Sequence, residues 1–169
     1  RDRQLILDAV KGCRYVIHAG GKFSFWGDEH EFEDVNVEGA RNVMDACRLE
    51  QVERVIHVST VALIGIPDKH AIIDENHPVN PQDPYQQSKW EAEQLVRSYY
   101  TEHDIPVIIL RPGAFYGPLG TYAFNRLFFQ DALRGLMVKL DGGNYITFPV
   151  YIADVVQAIH LSLNKGRVG

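Results

Sequence analysis

Three short apolar runs, Arg14–His18, Arg54–Ser59 and Val107–Leu110, are each separated from the next by a stretch of helical periodicity. This alternation constrains the fold more than any other feature. Strands that are apolar throughout are covered on both faces, and strands alternating with helices of ten or more residues form βαβ units around a parallel sheet. Asp34–Glu50 repeats Val37, Ala40, Met44 and Cys47 along one helical face. Tyr85–His103 carries Tyr85, Lys89, Ala92, Val96 and Tyr99 along one side, with Pro84 where a helix can begin. Gly65–Pro84 reads as a loop rich in Pro, Asp and Asn. Ala123–Arg134 reads as a helix, Asn144–Ile152 as extended chain and Asp154–Asn164 as helix. The expected class is α/β with a doubly wound parallel sheet.

Composition narrows the function classes. A chain of 169 residues corresponds to about one domain. A net charge of −5 argues against nucleic-acid binding. No apolar run approaches the ~20 residues that span a bilayer, and Arg1-Asp2-Arg3-Gln4 lacks the apolar core of a signal peptide. Cys13 and Cys47 do not make a disulfide framework, so both are read as reduced and the compartment as cytoplasmic. The seven histidines show no metal-ligand spacing. The acidic run Asp28–Asp34 reads as a solvated helix start. No metal, nucleic acid or membrane partner is expected.

In open parallel sheets ligands bind beyond the carboxyl ends of the strands. The residues just after each run therefore matter most: Ala19-Gly20-Gly21, Ser59-Thr60 and Arg111-Pro112-Gly113. Tyr85 and Lys89 lie four apart and share a helix face. A phenol is a poor acid or base at neutral pH, and a neighbouring ammonium lowers its pKa. The pair suits proton exchange with an alcohol or ketone. By itself it is a weak signal, because a chain of this composition holds roughly 0.3 such pairs by chance. Thr60 adds a hydroxyl on the ligand edge, with Ser59 as the alternative donor. For both, the competing reading is a hydroxyl that caps its own turn.

With these pieces in order, the whole chain resembles the middle and late part of an extended short-chain dehydrogenase/reductase of the NAD-dependent epimerase/dehydratase family. The resemblance is carried by Val16–Gly21, Asn36–Val43, His57-Val58-Ser59-Thr60, Tyr85-Gln86-Gln87-Ser88-Lys89, Arg111–Pro118 and Phe148–Asp154. It implies a Rossmann-like sheet truncated at the N-terminus, with the start of a small substrate-binding region. Residues 1–118 would form a partial nucleotide-binding domain. Residues 119–169 would mix substrate region with late sheet and helix elements. Thr60, Tyr85 and Lys89 would be catalytic, Tyr85 exchanging the proton. Ala19, Gly20, Ser59, Tyr85, Lys89, Pro112 and Gly113 would contact the cofactor, NAD or NADP with NAD favoured. Asn36, Asp154 and Arg111 would be structural: Asn36 tying a helix start to a neighbouring strand, Asp154 a helix cap, Arg111 an anchor for its strand end.

The family's Gly-rich phosphate loop and its late substrate elements are not in the sequence. The expectation is a fragment that binds cofactor poorly and is inactive alone. Val61-Ala62 follow Thr60 where a sugar dehydratase of the family places an acid pair, which leaves epimerisation or alcohol/ketone redox. The implied substrate is a nucleotide-sugar. The alternatives are an apolar alcohol or ketone facing Phe23, Phe25 and Trp26, or a non-catalytic binding module. For these aromatics the plainer reading is core for Phe23 and Phe25, with Trp26 packed under the loop. A homodimer through helices 34–50 and 85–103 is also implied.

Overall fold

The computed structural model describes residues 2–24, 26–68, 70–121, 124–137, 139–143, 147–166 and 168. Phe25, Ala123, Asn144–Ile146, Arg167 and Gly169 lie outside the described residues.

The three apolar runs become β1 (Tyr15–His18), β2 (Arg54–Val58) and β3 (Val107–Leu110), parallel and in the order β1-β2-β3. His18 stands opposite His57, and Val58 opposite Leu110. Arg14 and Ser59 fall just outside the strands. Pairing nevertheless continues past the ends: the Ser59 N–H donates to Leu110 at 2.7 Å and the Val61 N–H to Pro112 at 2.9 Å. The two chain exits are thus held side by side by main chain alone.

Helices supply each crossover. α1 (Arg3–Val10) packs against α3. The helical segment between β1 and β2 begins five residues earlier than the periodicity suggested. Asp28 caps α2 (Glu29–Phe32) through the His30 N–H, and Glu29 and Glu31 suit the positive end of the helix. A π-helical turn, Glu33–Val37, then leads into α3 (Glu38–Leu49). This wide turn contains Asn36, which is buried and bonds out of the helix.

α4 (Pro84–His103) is capped by Asp83, which accepts from the Gln86 N–H at 2.7 Å. Its buried face holds Ser88, Lys89, Ala92, Glu93, Val96 and Tyr99. The apolar part of that face packs with Ala40, Met44 and Cys47 of α3 onto Val55 and Val107. Full burial of a side chain such as Met44 stabilises by about 1.5–3 kcal/mol. α6 (Ile152–Lys165) lies against β2, where the Arg54 guanidinium donates to the Ser162 and Leu163 carbonyls at 2.8 and 2.7 Å. A cation suits that end of the helix.

A second sheet pairs β4 (Ala114–Tyr116) in parallel with β5 (Pro149–Tyr151). It joins residues on either side of position 118. Gly113 permits this approach: a Cβ there would stand 1.7 Å from the Phe148 carbonyl oxygen. Three expectations change. Asp154 is not a cap, because α6 follows Tyr151 with no side-chain cap and Asp154 sits in the first turn. In the segment expected as one α-helix, Arg126–Gln130 is a π-helical turn leading into the short α5 (Asp131–Leu133). Trp26 is 81% exposed and not packed under the loop. Among the described residues no helix is long and apolar enough to cross a membrane.

Candidate active site

The carboxyl ends of β1, β2 and β3 open into one cleft of about 930 Å³. Ala19, Gly20, Ser59, Thr60, Tyr85, Lys89, Pro112 and Gly113 all line it. Positions up to 94 residues apart in sequence are brought together because each lies at a strand exit or on the first turns of α4.

Thr60 is extended and starts a 3-10 turn, Val61–Ile64, so its Oγ1 accepts from the Ala62 N–H at 3.2 Å. It does cap its own turn. That bond uses an acceptor position only, and the Thr60 hydroxyl lies near enough to the Tyr85 phenol to lower its pKa. Gly65 ends the turn at φ 67°, where a Cβ would stand 2.4 Å from the Asn80 carbonyl oxygen. The returning loop is held there by the Asn80 N–H bond to Leu63 at 2.8 Å.

The Tyr85 ring is wedged edge-on against Phe23, centroids 4.9 Å apart, and against Phe32 at 6.3 Å. Phe23 is thus a wall of the cleft, 43% exposed, and not core. Burial pushes the Tyr85 phenol above its ordinary value; the Thr60 hydroxyl opposes this and Asp83 adds to it. Lys89 does not act on Tyr85 as the spacing suggested. Its Nζ donates to the Val58 carbonyl at 2.8 Å. Burial lowers the Lys89 ammonium to about 8, against the pull of Glu93. It is cationic at neutral pH.

Behind Lys89 lie two histidines in register on β1 and β2. Their Nδ1 atoms are 3.1 Å apart. Burial, with the Lys89 charge as a smaller cause, lowers His18 to about 4 and holds His57 well below its usual value. The pair is neutral, and His57 Nε2 has no hydrogen-bond partner among the described residues. Asn36 fastens the segment after β1 to α4: its side chain accepts from the Lys22 N–H at 2.7 Å and donates to the Lys22 carbonyl and to Ser88 Oγ. It ties the exit of β1, as expected for a structural residue.

Ser59 does not cap its turn. Its buried hydroxyl makes no hydrogen bond among the described residues, though it lies near enough to the Glu93 carboxylate to favour the ionised form. Arg111 bonds that carboxylate through two nitrogens, at 3.0 and 2.6 Å. Of the two anchors open to Arg111 from the sequence, carboxylate or backbone, it uses a carboxylate, and Glu93 was not among the candidates. The signal was available: Glu93 is four residues after Lys89, on a face otherwise destined for the core. Among the described residues no cluster of three or more His, Cys, Asp or Glu side chains is arranged to hold a metal ion.

This sheet, with ligand-lining residues at the strand exits, is Rossmann-like. The chain belongs to the NAD dependent epimerase/dehydratase family, whose model matches residues 1–169. It is 33% identical over 170 residues to a trifunctional UDP-glucose 4,6-dehydratase/UDP-4-keto-6-deoxy-D-glucose 3,5-epimerase/UDP-4-keto-L-rhamnose-reductase of Arabidopsis thaliana, covering 96% of this chain and 25% of that protein. It is 30% identical over 171 residues to a 4-hydroxy-2-methyl-3-oxo-4-farnesyl-3,4-dihydroquinoline-1-oxide ketoreductase of Stigmatella aurantiaca, covering 99% of this chain and 50% of that protein. The dTDP-glucose 4,6-dehydratase DesIV of Streptomyces venezuelae, solved with NAD bound, matches with a TM-score of 0.90 at 26% identity, covering 99% of this chain and 53% of that one. The chain thus spans between a quarter and about half the length of these relatives.

Proposed function

We propose that this chain carries the proton-transfer half of an NAD-dependent epimerase or oxidoreductase site acting on a hydroxyl or keto group of a nucleotide-sugar. The placement of Thr60 and Tyr85 on the lining of one cleft, the Thr60 hydroxyl near enough to favour the Tyr85 phenolate, carries this reading. Thr60 holds the substrate oxygen beside the phenol. Tyr85 gives up or takes the proton at that oxygen. Its raised pKa suits the neutral, proton-donating form, and a cation brought into the cleft would favour the phenolate.

The residues present fit a dinucleotide. At the exit of β1, Ala19-Gly20-Gly21 presents main chain with nothing larger than a methyl group. A Cβ on Gly20 would meet only the His18 ring, at 3.8 Å. Gly20 therefore leaves room on the cleft side that internal packing does not use. Ala19, Gly20, Ser59, Pro112 and Gly113 would line the nicotinamide end, and Lys89 would present its charge to ribose hydroxyls. A bound nicotinamide supplies hydride exchange. NAD is favoured over NADP because the DesIV structure was solved with NAD.

A second reading has an observation of its own. Phe23, Val61, Ala62, Ile66, Phe115 and Phe124 give the cleft a largely apolar wall. An apolar ketone or alcohol suits that wall, and the ketoreductase relative is consistent with it. No acid pair follows Thr60 on this wall, so elimination of water from a sugar has no acid and base there.

The test is turnover by the full-length protein with NAD across nucleotide-sugars and apolar ketones, alongside Tyr85→Phe. Loss of about 100-fold or more in kcat with the fold intact supports the role of Tyr85. Turnover unchanged in Tyr85→Phe defeats it. The preferred substrate set decides between the two readings.

A further inference from the structure

Glu93 is a carboxylate with 0% exposure in a helix face otherwise built for the core. A buried charge is retained only where hydrogen bonds and opposite charge compensate it. Its partners are drawn from three places. Arg111, the first residue after β3, donates to both carboxylate oxygens. Arg97, one turn further along α4, donates at 3.3 Å and is itself half exposed. Ser59, the first residue after β2, sets its buried hydroxyl near the carboxylate without a hydrogen bond to it. These are the segments that carry the site. Ser59 precedes Thr60, Arg111 precedes Pro112-Gly113, and Glu93 lies one helical turn from Lys89 and two from Tyr85.

We propose that Glu93 is the positioning residue of this site, its carboxylate locking α4 to the exit of β3 through Arg111 so that Tyr85 faces Thr60 and Lys89 meets Val58. This rests on the reading of Tyr85 and Lys89 given above. Two other features agree. The main-chain bonds from Ser59 to Leu110 and from Val61 to Pro112 align the two exits with each other but do not reach α4. Only side chains fix the helix against them, and among the described residues Glu93 and Lys89 both do so, Lys89 through a single bond to Val58.

Charge is the second feature. Lys89 is packed among the neutral His18 and His57 from the sheet and Tyr85 and Glu93 from its own helix. Of these, Glu93 is the negative group that raises the Lys89 pKa against burial. Arg111 and Arg97 face Glu93 from the other side. Removing the carboxylate takes away that support and moves the Lys89 titration downward.

The test uses the full-length protein with Glu93→Gln, Glu93→Asp and the double variant Glu93→Gln/Arg111→Met, which leaves neither charge of the main pair buried without its partner. Lys89 ionisation is read without cofactor, from the pH dependence of amine acylation at that residue by mass spectrometry. Turnover is measured in parallel. In Glu93→Gln the Lys89 midpoint falls below its position near 8. There kcat drops by about tenfold or more while KM changes by less than about threefold. Glu93→Asp recovers part of both, and the double variant shows the same downward midpoint.

An unmoved Lys89 midpoint in a folded Glu93→Gln or double variant overturns the proposal. So does a lowered midpoint with kcat retained. If none of the three variants folds, Glu93 serves stability alone and the proposal is also overturned. The underlying reading fails separately, by undiminished turnover in Tyr85→Phe, whatever the Lys89 midpoint does.

Discussion

The Lys89 ammonium is anchored to the carbonyl oxygen of Val58, 2.8 Å away, and not to the phenol four residues before it. A helical spacing of four places two side chains on one face, but it does not oblige them to bond each other. The last carbonyl of β2 is a fixed acceptor on a strand, whereas Tyr85 and Thr60 line the cleft together. The lysine therefore spans helix and sheet.

Stability should depend on pH through this lysine. Its pKa is lowered from 10.5 to about 8 in the fold. Between those values the unfolded chain binds the proton and the native chain does not, so stability rises with pH across that window. Lys89→Met removes the effect. The difference between wild type and Lys89→Met in urea unfolding should change by ~3 kcal/mol from pH 7.5 to pH 10.5, wild type gaining. A flat difference would show that Lys89 is not buried as described.

The histidine pair sets the acid side. His18 is lowered to about 4, and His57 lies in the same direction. From pH 6.5 down to 4 the unfolded chain takes up protons that the native pair refuses, so stability falls as pH falls. Thermal unfolding of the wild type should show a declining Tm over this range. The decline should be shallower in His18→Phe, which removes one of the two titrating rings.

Thr60 has two duties that substitution can separate. Thr60→Ser keeps the hydroxyl for both Ala62 and Tyr85 and should retain turnover within about fivefold. Thr60→Val keeps the shape but loses the bond to Ala62 and the hydroxyl beside Tyr85, and kcat should fall by about 10-fold to 100-fold. It should also destabilise by about 1 kcal/mol through loss of the turn cap. Steady-state kinetics and denaturant unfolding on the same preparations test this.

Gly113 should tolerate no side chain. An added Cβ would meet the Phe148 carbonyl oxygen at 1.7 Å, and that atom belongs to main chain which also accepts from the Ala114 N–H. Gly113→Ala should cost about 1–3 kcal/mol by urea unfolding. Hydrogen exchange at the amides of Ala114 and Phe115 should accelerate, because the clash sits where β4 joins β5. Gly39→Ala, within α3, offers a control: nothing lies within 4 Å of its Cβ.

Periodicity and apolar runs in the sequence determined the parallel sheet, the order of its strands along the chain, the face of α4 and the set of residues at the strand exits. These are local properties: a continuous apolar run must be covered twice, and a repeat near 3.6 must present one face. The short order of motifs was likewise enough to imply the family. Tertiary structure alone decided which polar atoms meet. Lys89 bonds Val58, Asn36 bonds Ser88, His18 meets His57, and Ala114–Tyr116 pairs with Pro149–Tyr151. Each of these contacts joins residues 31 or more positions apart, where the partner is chosen by the need to satisfy a buried donor, acceptor or charge. That need exists only once the sheet and helices have excluded water, so no reading of neighbours along the chain could supply it.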